Sequence, residues 1–433
     1  MDTIWGMTAP RRVAVTGLGA ITPLGLTGPA TWEALLAGRS GIDTLTAFDT
    51  TGFAVRIGGE VKNFKPEEQI SSKELRHMDR SSQFALVAAR EAVADARLDI
   101  AGECPERVGV IFGTAAGGVE RLLIQQQVLL ERGPDRVSPM FLPHFLPDSA
   151  SGLVAIALGA EGPNMAVASA CATGSHAVGE AFKTIARDDA DVVLAAGTEA
   201  SMLPVIFAGF INMRALSGRN DDPQKASRPF DAGRDGFVIS EGAAVLVLED
   251  LEHARRRGAH VYCEVVGYGS GNDAYHMVQP KDHGAGAAKV MRAALRDAER
   301  HAGLAPQEVT YINAHGTSTP YNDRFETAAI KEVFGEHARS LAVSSTKSMT
   351  GHMFGAAGAV EAFACAMALD TGWLPPTINY EVPDPECDLD YVPNTARQWQ
   401  PSAAISNSFG LGGHNATVIL KAYREPCTAT ASS

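Results

Sequence analysis

Cysteine is scarce and scattered in this chain. The six thiols, at positions 104, 171, 263, 365, 387 and 427, form no C-x-x-C pair and no short-spaced cluster. A disulfide framework is not expected in a chain of 433 residues, and a reducing cytoplasm is the expected compartment. No apolar run approaches the ~20 residues that a membrane-spanning helix needs. The first residues, Met-Asp-Thr-Ile-Trp-Gly, hold an acid and no apolar core, which speaks against a signal peptide or membrane anchor. Positive charge is also in short supply, with 37 Lys and Arg against 50 Asp and Glu, a formal charge of −13. Nucleic acid is therefore not an expected partner, because phosphate binding needs a basic field. An acidic protein meeting a local basic patch stays open.

Several motifs are absent as well. Gly17-Leu18-Gly19 follows a short strand, but Thr22 and Pro23 stand where a dinucleotide fold would place its third glycine. There is no Gly-x-Ser-x-Gly elbow for a serine hydrolase and no local His or Cys pair to seed a zinc site.

What is present suits a globular α/β protein: 45% hydrophobic and 20% charged residues, with 43 glycines for tight loops. The length suggests two domains or two fused halves. Strands are expected at 13–16, 107–112, 191–197 and 242–248, with a helix at 31–37. A second series of strands, at 261–268, 309–314, 403–407 and 416–421, encloses helices at 284–301 and 326–334. These divide the chain into halves 11–258 and 259–421, followed by a polar tail, 422–433.

Three segments carry chemistry. Cys171 lies in Val-Ala-Ser-Ala-Cys-Ala-Thr-Gly-Ser-His (167–176), and a helical run, 177–185, follows it. A thiol at a helix start meets unpaired N–H groups and the positive end of the dipole, which favour thiolate. His315 ends an apolar strand in Asn-Ala-His-Gly-Thr-Ser-Thr-Pro. His352 lies in Thr-Lys-Ser-Met-Thr-Gly-His, five residues after Lys347, with Glu361 downstream as a countercharge. One thiol with two histidines suits acyl transfer followed by carbanion formation. The thiolate accepts an acyl group, and two imidazole N–H groups stabilise the enolate left when a second thioester loses CO2.

These segments, with Asn-Ser-Phe-Gly-Leu-Gly-Gly-His-Asn at 407–415, resemble the β-ketoacyl-acyl-carrier-protein synthases, and among them the elongating synthase II type. The resemblance covers about residues 11–421. It implies the thiolase fold, two pseudo-symmetric α/β halves in a five-layered αβαβα arrangement, usually as a dimer. It makes Cys171 the nucleophile, His315 and His352 the decarboxylation pair, and Lys347 their electrostatic support, with Glu361 as its partner. The N–H groups of Cys171 and Phe409 would form the oxyanion hole, with Phe409 also the gate. Thr317 and Thr319 would hold the phosphopantetheine arm of an acyl carrier protein. The acyl pocket would be lined by Phe210, entered past Ala116 and completed by Phe141 of a partner subunit. No cofactor or metal is implied. Relatives often hold isoleucine where Ala116 stands, so a longer or more rigid acyl chain is expected. The carrier would dock on Lys73, Arg76, Arg136 and Arg214, although Asp135 interrupts the relatives' adjacent basic pair.

Three positions depart from the fatty-acid pattern: His414 replaces a threonine, Phe354 adds bulk after His352, and 321–327 resembles the Asn-Asp-Arg-x-Glu-Thr run of aromatic polyketide condensing subunits. Homodimeric fatty-acid elongation is the first expectation. A catalytic subunit of a type II polyketide or polyene synthase, paired with a chain-length-factor relative, is the second. A non-catalytic scaffold that binds acyl carriers is the third.

Overall fold

A computed structural model describes residues 10–76 and 78–425. Of the expected tail, Ala422 still belongs to the last strand, the Tyr423 hydroxyl accepts from Arg255 at 3.2 Å, and 426–433 lie outside the described residues. Ten strands form the principal sheet system: β1 (Val13–Ile21), β2 (Val108–Gly113), β3 (Asn164–Val167), β4 (Val192–Glu199), β5 (Gly242–Asp250), β6 (Cys263–Asn272), β7 (Val309–Asn313), β8 (Ala342–Ser344), β9 (Ala403–Gly410) and β10 (His414–Ala422). Their spatial order is β8-β7-β9-β10-β6-β1-β5-β4-β2-β3. The second half repeats the first, since adding five to each label of 3-2-4-5-1 gives 8-7-9-10-6. The halves join through only three residue pairs, Val13 to Val15 against Val265 to Cys263.

Helices make the remaining layers. Arg80–Asp95 (α1) covers β1 and β5, and Ala285–Ala302 (α3) covers β6 and β10. Between the two half-sheets run Thr173–Ala186 (α2) and Ala357–Thr371 (α5), each touching strands of both halves. Pro320–Phe334 (α4) packs outside, beside α3. The sequence Ala-Gly-Ala-Val-Glu-Ala-Phe-Ala-Cys-Ala explains the place of α5. Small side chains around the whole circumference let it be buried on every side. Residues 354–371, with a mean hydropathy of 1.2, are long and apolar enough to cross a membrane, but 83% of them are buried inside the protein, as in a core helix.

The glycines that resembled a nucleotide loop have a packing role. A Cβ on Gly17 or Gly19 would overlap the carbonyl oxygens of Ala92 and Ala88 on α1. Gly267 and Gly269 on β6 meet Ala294 and Val290 of α3 in the same way. Each half thus uses a Gly-x-Gly strand to bring a helix into backbone contact. The helix expected at 326–334 starts earlier, at Pro320, whose fixed φ suits a first helical turn.

Candidate active site

Cys171 stands where β3 hands over to α2, in a single tight turn, Ala170–Ala172. Ala170 has φ +50°, a left-handed conformation that a side chain resists by about 1–3 kcal/mol. The strained turn presents the next residue's sulfur at the start of α2. Gly410, at the end of β9, closes the other side: a Cβ there would lie 3.0 Å from the Cys171 nitrogen.

The thiol is 7% exposed. Burial pushes it up to about 11, against the pull of the Leu411 and Cys171 N–H groups and the charge of Lys347, while buried Glu199 pushes the same way as burial. The expectation that the helix start favours thiolate is therefore corrected for the free protein. Withdrawing the sulfur from water outweighs the pull of the two N–H groups and of Lys347.

His315 follows β7. Its N–H and that of Gly316 both donate to the Glu326 carboxylate on α4, each at 2.9 Å, and Asn407 Nδ2 donates to the same group at 3.2 Å. Asp323, one turn earlier on α4, accepts the Phe230 N–H at 2.9 Å and lies 3.7 Å from Arg234. Glu326 of the 321–327 run thus braces the loop that holds His315, and Asp323 holds the neighbouring 230–234 segment. His352 is pinned through its backbone: its N–H donates to Val238 O at 2.8 Å, and its carbonyl accepts from Ser240 at 3.0 Å. The two imidazoles stand 5.4 Å apart with planes at 86°.

Lys347 is 2% exposed and sits between an ion pair with Glu361 of α5 and His315 Nδ1 at 3.3 Å. An ammonium has no acceptor, so His315 Nδ1 accepts and its Nε2 carries the proton. Burial first, and the Lys347 charge second, hold both imidazoles well below the ordinary histidine range; His352 also lowers His315. Both are neutral donors at physiological pH. Burial pushes Glu361 up to about 7, and Lys347 draws it back.

The remaining expected residues are placed as follows. The Phe409 ring lies 5.7 Å from His315, and the Thr317 and Thr319 hydroxyls bond each other at 2.9 Å. Phe210 is half-buried and stacks on Phe354 at 5.2 Å; Phe354, with φ +43°, stands 4.9 Å from His352. Phe237 completes this aromatic wall, and Cys171 belongs to the same apolar cluster. Ala116 lies half-buried in the loop after β2. Phe141 stacks on Phe145 at 5.4 Å in a short helix, Phe141–Phe145, rather than in this cluster. Lys73, Arg76, Arg136 and Arg214 are all exposed, on three separate segments, and none enters an ion pair among the described residues. His414 opens β10 near His176, whose ring nitrogens meet the Ser169 hydroxyl at 2.6 Å and the Ser270 hydroxyl at 3.1 Å. No group of three or more His, Cys, Asp or Glu among the described residues is arranged to hold a metal.

Sequence reasoning missed Leu411 and Glu199. An acid closing the apolar strand 192–199 is the only mark that Glu199 leaves in the sequence.

Comparisons with known proteins agree with this geometry. The profile of the beta-ketoacyl synthase N-terminal domain matches residues 10–254, and that of the C-terminal domain matches 262–381. The chain is 50% identical over 417 residues, 96% of its own length and 100% of the relative's, to 3-oxoacyl-[acyl-carrier-protein] synthase 2 of Staphylococcus aureus strain N315. Among solved structures, the ishigamide ketosynthase/chain length factor superposes with a TM-score of 0.89 at 37% identity, covering 96% of this chain and 100% of that one. A type II polyketide ketosynthase, solved in complex with its acyl-carrier protein, gives 0.88 at 36%, with the same coverage. The chain belongs to the beta-ketoacyl synthase family, and is a thiolase-fold acyltransferase that forms carbon–carbon bonds by condensation.

Proposed function

We propose that this chain elongates acyl chains by two carbons in fatty-acid synthesis, with Cys171 as the acyl acceptor and His315 and His352 as the decarboxylation pair. The Cys171 thiol gives up its proton as its sulfur attacks an acyl thioester on an acyl carrier protein. The acyl–Cys171 bond forms, the bond from the acyl carbon to the phosphopantetheine sulfur breaks, and that departing sulfur takes up the proton. Malonyl-carrier then binds with its thioester carbonyl oxygen at the two imidazole Nε2–H donors. The C–C bond to the carboxylate breaks, CO2 leaves, and the electron pair becomes an enolate held by those donors. The enolate carbon attacks the acyl–Cys171 carbonyl, and Cys171 departs as thiolate. No cofactor is needed, because the carboxylate supplies the electron pair.

The contact of Lys347 with His315 Nδ1 carries this reading, since it commits His315 Nε2 to donate. Fatty-acid elongation is favoured over polyketide synthesis by the 50% identity to a 3-oxoacyl-carrier synthase. The polyketide reading keeps one supporting observation, the similarity to ketosynthases of such systems at 36–37% identity. In this chain Glu326 of the Asn-Asp-Arg-x-Glu-Thr run braces the His315 loop, a role that either reading can use.

The halves 11–258 and 259–421 would act as one unit in a cytoplasmic dimer. β3 is an edge of the sheet, and the helix packed on it, Ser149–Leu158, leaves Ile156 exposed (82%), while the adjoining helices Phe141–Phe145 and Val119–Arg132 leave Leu142 (58%) and Leu130 (76%) exposed. Exposed apolar side chains along an open edge suit pairing with a second subunit, which would bring Phe141 toward the partner's pocket. Thr317 and Thr319 would hold the phosphopantetheine arm, Phe409 would gate the entrance, and the four free cations would receive the carrier.

The test is CO2 release and product formation with malonyl- and acyl-carrier. Cys171→Ala should abolish condensation while leaving slow malonyl decarboxylation, and His315→Ala or His352→Ala should abolish decarboxylation. Full condensation by Cys171→Ala would sink the proposal.

A further inference from the structure

Glu199 ends β4 with no solvent exposure and no cationic partner among the described residues. Its bonds go elsewhere. One carboxylate oxygen accepts the Thr114 hydroxyl at 3.2 Å; the other accepts the Ala115 N–H at 2.8 Å and the Gly355 N–H at 3.0 Å. The Ala116 N–H also points to it. The carboxylate therefore ties the loop that holds Ala116 to the segment three residues beyond His352.

Both tethered segments border the nucleophile. A Cβ on Gly113 would overlap Thr173, two residues after Cys171, and one on Gly174 would lie 2.9 Å from the Gly355 carbonyl. Gly355 itself is packed on Thr114 and Ala115. A buried carboxylate without a counter-ion is costly to keep, and burial pushes this one up to about 7. Its charge also acts on the Cys171 thiol. Nothing in condensation uses it directly.

We infer that Glu199 is a positioning residue for acyl-chain selection: it clamps the Thr114–Ala116 loop onto the His352 segment and so fixes the channel wall beside Cys171. This rests on the proposed entry of the acyl chain past Ala116. Gln at this position has one acceptor oxygen for the four donors that meet the carboxylate, Thr114, Ala115, Ala116 and Gly355, so it cannot hold them all and the clamp loosens on one side.

Alkylation tests the clamp without requiring turnover. Rates at Cys171 are read by peptide mass spectrometry with iodoacetamide and with its N-octyl derivative. In Glu199→Gln the octyl-to-parent rate ratio should fall about fivefold, while iodoacetamide still reacts. Thr114→Val, which removes one donor to Glu199, should shift the ratio the same way by less, and it decides the matter if Glu199→Gln does not fold. An unchanged or raised ratio, or equal slowing with both reagents, would overturn the inference. Because the readout needs no condensation, its failure is distinct from failure of the proposed reaction.

Discussion

Replacing Lys347 by Met tests whether the buried cation serves stability, catalysis or both. The side chain is 2% exposed and bridges Glu361 and His315 Nδ1. Losing it leaves the Glu361 charge buried and unpaired, which costs about 3–5 kcal/mol. It also frees His315 Nδ1 to carry the proton, so the Nε2–H donor is lost from much of the population. Removing one such donor lowers the rate by about 10²–10³-fold. The double variant Lys347→Met/Glu361→Leu removes both charges together and should return to within about 2 kcal/mol of wild type. Its decarboxylation should stay low, because the tautomer is still unfixed. Urea denaturation gives the stabilities, and CO2 release from malonyl-carrier gives the rate. A loss below about 1 kcal/mol for the single variant would refute the reasoning, as would a double variant that recovers its rate along with its stability.

Other outcomes follow from the same geometry. The neutral imidazole is the active form, and both rings are held well below the usual histidine range, so acidification should leave them unprotonated where a free histidine titrates. Decarboxylation should therefore stay flat as pH falls through about 6.5; a loss centred there would contradict the assignment. With the thiol pushed up to about 11, Cys171 alkylation in the free protein should climb about tenfold per pH unit from about pH 7 to 10, and a plateau below about pH 8 would contradict it. Ala116→Ile should shorten the longest acyl group transferred to Cys171, measured with a ladder of acyl-carriers; an unaltered ladder would place the channel elsewhere.

The strands and helices that carry Cys171 and His315 were legible because apolar runs ended in small residues at 167–176 and 309–316, where periodicity changes within a few positions. The Gly-x-Gly at 17–19 could be read against a nucleotide site from one missing glycine. Its true reason needs α1, whose Ala88 and Ala92 are distant in sequence. Glu361 could be read as a countercharge 14 positions after Lys347, but the contact itself depends on two helices that bring the charges together. Glu199 was invisible because its partners are backbone N–H groups, and these leave no residue-type signature. The thiol was misjudged for a similar reason. Helix position can be read locally, whereas the burial of Cys171 depends on strand ends from both halves.

Intact-mass and peptide mapping after incubation with an acyl-carrier tests the assignment of the nucleophile most directly. The reading developed above predicts one acyl adduct per chain, located on Cys171 and absent from Cys171→Ala. An adduct that persists in Cys171→Ala, or that maps to Cys104, Cys263, Cys365 or Cys387, would contradict it.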